Sequence, residues 1–406
     1  MYNILFLFVI FVGVVEFRIP GLNYWDEVML VAVSLYCILK KGKLLIRKVN
    51  LEKWMILVVF IIAGIAGNIL HPNLQDSGIA IIKDIIAVLK FPVLTIIMFV
   101  DRGEKKQTKI IHEAATISRY TINLMLFIAI IGCFINIGVY QNEIRFVKCY
   151  QFFFSHPTFM VSSLVMMATV LLADGIKKNC CSLFAIAFLL FLSGRVKGYI
   201  MILLIFLIFV IQPSMIKVMF YSIKDKMKIK KRYMVPITSV IIILGYFLGK
   251  EKIDLYLYWG LTAARPALYI IGIQLVKDFF PFGSGFGTFA SSISGEYYSN
   301  VYRIYHIDDV NGMTKDNISY IGDTYPPYVY GQFGITGTFA YVSLLIQIFK
   351  DQFQKQKSYN RIIAFLFIWV YALVASTAET YFTNSSAVQF AVVLSVFIGS
   401  ERITVR

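Results

Sequence analysis

Ile200-Met-Ile-Leu-Leu-Ile-Phe-Leu-Ile-Phe-Val-Ile211 runs for twelve residues without a polar side chain. A membrane β-strand alternates lipid-facing and lumen-facing residues with a period of two, whereas a helix in lipid is apolar all round. The stretch therefore reads as part of a helical span. Outward from it, comparable runs recur along the whole chain. Of the 406 residues, 58% are hydrophobic and 15% are charged, where soluble domains carry about a quarter charged. The mean hydropathy is +0.72. Backbone groups in lipid are satisfied only inside helices or closed barrels, so the expected fold class is an all-α polytopic membrane protein.

Twelve spans are expected, at about 2–17, 27–39, 54–70, 79–100, 119–140, 157–174, 180–193, 198–212, 234–249, 328–348, 361–378 and 385–399. The first run has neither a basic leader nor a small-residue cleavage site and reads as a retained span. Lysine and arginine placement then sets the orientation. With the N-terminus inside, 26 of the 39 cations fall in inner segments and 11 in outer ones, six of the latter within one long loop. Both termini and the basic segment Lys217–Arg232 are thus expected in the cytoplasm, with residues 250–324 outside as a large extracytoplasmic loop. The formal net charge of +16 records this bias. Its natural partners are anionic headgroups of membrane lipids, not nucleic acid. Of the five cysteines, only Cys149 lies in an outer connector, and no disulfide framework or metal-ligand spacing is present. Without repeats or a soluble module, residues 1–406 read as a single membrane domain.

Polar chemistry concentrates on the outer segments. Leu192-Ser-Gly-Arg195-Val-Lys197-Gly198 places two cations at a turn between spans. Arg195 reads either as a snorkelling boundary residue or as a fixed guanidinium for a phosphate. Residues 262–280 have a helical spacing through Leu268, Ile271, Leu275 and Phe279, with Arg265 and Pro266 in the first turn. Arg265 could meet lipid headgroups or a phosphorylated substrate. Phe280-Pro-Phe-Gly283-Ser-Gly285-Phe-Gly287-Thr288 is not the dinucleotide fingerprint, which needs a strand before it and a helix after it. It reads as a turn with close backbone approach, or as a backbone anion nest.

Residues 296–309 carry Tyr298, Tyr302, Arg303, His306, Asp308 and Asp309. Aromatic faces beside carboxylates suit a sugar; interfacial anchoring explains tyrosines equally well. Two adjacent carboxylates alone do not make a metal site. Asp323 stands before the tenth span, as a helix-dipole partner or as a general base.

In order and membrane placement, these elements resemble the O-antigen ligase and polymerase superfamily of membrane glycosyltransferases. Leu192-Ser-Gly-Arg195 is similar to its Ser-Gly-Ser-Arg turn. Arg265-Pro-Ala-Leu followed by Lys277–Phe289 is similar to its arginine helix and glycine turn. Asp323, ahead of Gly331-Gln-Phe-Gly-Ile-Thr-Gly337, stands at its loop-exit position. The ligase branch typically has histidine there, so aspartate favours a Wzy-like repeat-unit polymerase. The resemblance implies oligosaccharides linked by pyrophosphate to undecaprenol, joined outside the bacterial inner (cytoplasmic) membrane with no cofactor and no metal. It implies Arg195 and Arg265 on the pyrophosphate and Asp323 as base, with His306 in reserve. Lys197, Tyr298, Tyr302, Arg303 and His306 would bind substrate, and chain-length regulators and flippases would be partners. The alternatives are an O-antigen ligase or, in another class, a lipid-linked oligosaccharide flippase. A flippase would carry charges at membrane depth, to which only Lys83-Asp84 and Lys90 point.

Overall fold

The computed structural model describes residues 2–16, 18–19, 21–45, 48–99, 103–144, 147–210, 254–256, 258–356 and 358–399. The helices are α1 (Tyr2–Val15), α2 (Trp25–Leu45), α3 (Lys48–Leu70), α4 (Gly78–Met98), α5 (Glu104–Phe134), α6 (Pro157–Asp174), α7 (Cys180–Leu192) and α8 (Val196–Val210). There follow α9 (Ala264–Asp278), the short α10 (Ser292–Glu296) and α11 (Val301–Ile304), α12 (Tyr325–Lys355), α13 (Tyr359–Ser376) and α14 (Ser385–Val392). The strands among the described residues are β1 (Tyr140–Ile144) and β2 (Val147–Tyr150), one antiparallel hairpin.

The chain is an all-α membrane protein. Five helical stretches are long and apolar enough to cross a bilayer: Leu51–Leu70, α5, α6, α12 and α13. Shorter apolar helices occupy Tyr2–Val15, Cys180–Leu192, Val196–Val210 and Ser385–Phe397. Helices stand where eleven of the twelve spans were expected. The ninth, 234–249, lies outside the described residues, as do Lys217–Arg232, Lys250, Lys252, Arg402 and Arg406. Apolar side chains such as Phe127, Ile62 and Leu373 are exposed on these helices. α6 instead is buried along nearly its whole length, packed among α13, α5 and α1.

The charges flagged at membrane depth are matched within the protein. Lys90 bonds Asp26 and Glu27, each at 2.6 Å, and Lys83 bonds Glu296 at 2.8 Å. Asp84 is fully buried and accepts from the Gly287 amide at 2.9 Å and from Gln332 Nε2 at 3.1 Å.

That last pair explains the glycine turn. Between α9 and α10, the amides of Ser284 and Gly285 donate to Gly331 O and Gln332 O, at 3.2 and 2.8 Å. Those of Phe286 and Thr288 donate to Asn68 Oδ1 and Gln332 Oε1, each at 2.8 Å. With Gly287 on Asp84, the turn's amides are spent on protein acceptors, so it is a close-packed joint and not an anion nest. Opposite it α12 breaks at Gly334, with φ 56° and ψ −158°. A Cβ at Gly283, itself at φ +78°, would stand 2.3 Å from the Gly334 nitrogen. Glycine at both positions lets two backbones touch, and α3, α9 and α12 converge there.

Candidate functional site

Three turns and a helix start meet around a cavity of about 1390 Å³. The turn between α7 and α8 supplies Arg195 and Lys197, and the first turn of α9 supplies Arg265. Asp323 comes from the turn before α12, and Glu379 from the turn between α13 and α14. His156, which caps α6, and Lys148 of β2 complete the charged and titratable lining. Four cations thus face two carboxylates, an excess of two positive charges with His156 neutral.

The cations are not equivalent. Arg265 Nη2 donates to Asp323 Oδ2 at 3.2 Å, and its Nη1 donates to the Tyr256 hydroxyl at 3.1 Å. Lys197 Nζ donates to Glu379 Oε1 at 2.8 Å. Arg195 has no carboxylate partner among the described residues. Its Nη2 meets His156 Nε2 at 2.9 Å, and its Nε is buried without a hydrogen-bond partner. Arginine only donates, so His156 Nε2 must offer a lone pair there. His156 Nδ1 also accepts from the Thr158 amide at 3.2 Å. A neutral imidazole offers one lone pair, so these two contacts compete, and Arg195 is weakly held.

Burial, then the nearby Arg195 and Lys197 charges, push the His156 pKa down to about 4. Burial pushes Asp323 above the usual carboxylate value, although the Arg265 charge pulls the other way. Asp323 is therefore a better proton acceptor than an ordinary surface aspartate.

Around these charges stand Tyr256, Tyr269 and Tyr320, with Ser319. Phe191, Val196 and Ile270 line the cavity while 60%, 39% and 46% exposed, so one wall runs onto apolar helix surface. An anionic group with an apolar tail fits such a border, with the anion on the cations and the tail along that wall.

Of the residues singled out in the sequence, Arg195, Lys197, Arg265 and Asp323 share this cavity. Tyr298, Tyr302, Arg303 and His306 do not line it. Tyr302 is fully buried; its hydroxyl accepts from the Ala290 amide at 3.0 Å and bonds Ser294 Oγ at 2.6 Å, so it serves the packing of α10 against α11. The Tyr298 hydroxyl donates to Met313 O at 2.9 Å, while Arg303 and His306 are exposed. The cavity's tyrosines and carboxylates come instead from Tyr256, Tyr269, Tyr320, Asp323 and Glu379. Glu379, His156, Tyr269 and Tyr320 were not singled out. Two carried a signal: Tyr269 follows Arg265 by four on one helix face, and Glu379 is the only charged residue between Arg361 and Glu401.

Fold and site together define a polytopic helical membrane protein with a basic, tyrosine-walled cavity that borders an apolar surface. Comparison with protein-family models, with curated proteins and with solved structures returns no match.

Proposed function

We propose that this chain is a repeat-unit polymerase of the kind its sequence resembles, joining oligosaccharides carried on a polyprenyl diphosphate. The observation that carries the proposal is the state of Arg195, a partly buried guanidinium with no carboxylate partner among the described residues, sharing a cavity with the Arg265–Asp323 pair. A sugar–diphosphate–lipid diester carries two negative charges, which matches the cationic excess of the lining. In this reading the chain crosses the bacterial inner membrane twelve times, both termini are cytoplasmic, and residues 250–324 lie outside.

The donor diphosphate sits on Arg195 and draws on Arg265, while its lipid tail leaves along Phe191, Val196 and Ile270. The acceptor sugar enters over Tyr320 towards Asp323. Its attacking hydroxyl loses a proton to the Asp323 carboxylate as its oxygen bonds the donor's anomeric carbon. The anomeric carbon–oxygen bond breaks, and the electron pair leaves on the diphosphate. Guanidinium groups stabilise that developing charge, a contribution typically worth about 10²–10³ in rate per donor. Chain-length regulators and flippases acting on the same lipid-linked glycan are the expected partners.

Deleting the gene and resolving the surface glycan on a gel tests this. A polymerase deletion leaves single repeats on their final acceptor. Completed polymer stranded on the carrier lipid would mean a ligase, and absence of any external glycan would mean a flippase; either refutes the proposal.

A further inference from the structure

The proposed reaction employs Asp323 and leaves Glu379 without a task. Glu379 nevertheless lines the same cavity, and its turn is tied to that of Asp323. The Thr380 amide donates to Gly322 O at 3.2 Å, a backbone joint beside each carboxylate. Lys197 takes only Oε1 of Glu379, and Oε2 has no hydrogen-bond partner among the described residues. Both side chains line the cavity, and Glu379 is the more open of the two, 17% exposed against 9% for Lys197. Ser319 and Tyr320 stand on the same lining, Tyr320 with 46% of its surface free.

Two fixed carboxylates beside an open tyrosine ring form a sugar-recognising set. The ring packs against the C–H face of a pyranose, and each carboxylate accepts from a hydroxyl. Asp323 can engage only one hydroxyl at a time as base, so the second carboxylate is available for a neighbour. We propose that Glu379, held by Lys197, clamps the acceptor sugar by accepting a hydrogen bond from a hydroxyl near the attacking one, and so decides which sugars are elongated. This rests on the cavity being a glycosyl-transfer site. It also makes Lys197 a positioning residue and not a ligand of the diphosphate.

The obvious rival is that Glu379 only neutralises a buried lysine. Single variants cannot separate the two roles, because either one leaves an uncompensated charge. Removing both charges at nearly constant volume can. The test uses full-length protein in liposomes, with single repeats on their native carrier, extracted from cells lacking this chain, as labelled donor. The same repeat unit freed from its carrier by mild acid serves as acceptor, varied in concentration. Glu379→Gln should raise the acceptor KM about 10- to 100-fold, the loss of one charge-assisted hydrogen bond, with the donor KM within about twofold. Lys197→Met/Glu379→Gln should keep the raised acceptor KM while matching wild-type thermal stability.

A double variant that recovers the wild-type acceptor KM overturns the clamp and leaves the transfer reaction standing. Equal changes in donor and acceptor KM in the double variant also overturn it. Wild-type protein that moves no labelled glycan overturns the underlying function and the clamp with it.

Discussion

Replacing Arg195 by alanine separates a substrate-binding charge from a structural one more cleanly than any other change in the cavity. Arg265→Ala leaves Asp323 without its cation, and Lys197→Ala leaves Glu379 without one, so either variant can fail by misfolding. Replacing Arg195 strands no anion among the described residues. Its hydrogen-bonding side-chain contact is His156, a neutral group that also has the Thr158 amide to accept from. Losing one such bond costs about 0.5–1.5 kcal/mol, and the relief of a partly buried charge offsets part of it. Thermal unfolding in detergent should therefore move by no more than a few degrees. The loss of activity should be far larger. A unit charge about 4 Å from a phosphate oxygen, at an effective dielectric of about 20, contributes about 4 kcal/mol. At 1.36 kcal/mol per tenfold, that is a fall of about 10²–10³ in kcat/KM for the donor. Arg195→Lys keeps a point charge but not the planar fork and should lose about tenfold. The assay follows labelled glycan from carrier to acceptor in liposomes. Transfer by Arg195→Ala within threefold of wild type would refute the assignment, as would inactivity accompanied by loss of the folded protein.

Further expectations follow from the geometry. Burial raises the Asp323 pKa and a protonated carboxyl cannot act as base, so the transfer rate should fall as pH falls through a value above the ordinary aspartate pKa; Asp323→Asn should abolish transfer at every pH. His156 is held at about 4 when folded and rises towards 6.5 when unfolded, so the unfolded chain binds its proton first. Stability in detergent should therefore fall as pH drops from about 6.5 towards 4, and His156→Gln should flatten that slope in thermal melts. Gly283→Ala combines φ +78° with a Cβ 2.3 Å from a backbone nitrogen and should cost about 2–5 kcal/mol, read as loss of folded protein on size exclusion. Tyr302→Phe strips a partner from the buried Ala290 amide and should cost about 1–3 kcal/mol of stability while the transfer rate holds, whereas Tyr320→Ala should weaken acceptor use with stability intact.

Much of the scaffold was legible because a bilayer imposes a simple length requirement on apolar runs, and helices stand wherever such runs are described. The α9 helix was legible as well, from a spacing of three and four through Leu268, Ile271 and Leu275, all buried. The glycine turn was legible only as a turn. What it docks against (Asn68, Asp84 and Gln332) comes from distant helices, and no local pattern announces that Asp84 would be consumed by the Gly287 amide. For the same reason Lys83-Asp84 and Lys90 looked like a charged path at depth, although each is held by a specific partner elsewhere in the chain.

The site divides along a physical line. That Arg195, Lys197, Arg265 and Asp323 stand at the ends of apolar runs was legible, whereas their meeting in one cavity was not, because they come from three separate segments of the chain. The surroundings of Tyr298 and Tyr302 were not legible, because composition does not reveal which face of a tyrosine is buried, and an open hydroxyl looks no different in sequence from one bonding Ser294. Glu379 shows the converse. A solitary carboxylate among nearly forty uncharged residues must be held by something, but its holder, Lys197, lies 182 residues earlier. The backbone joint between Thr380 and Gly322 then ties the turn of Glu379 to that of Asp323, and both carboxylates line one cavity. Because this joint links backbone to backbone, its geometry does not depend on which side chains occupy the two turns. The cavity can therefore keep its pair of carboxylates in place while Tyr320 and Ser319 change, so the hydroxyl proposed to meet Glu379 should be selected whichever residues stand at those two positions.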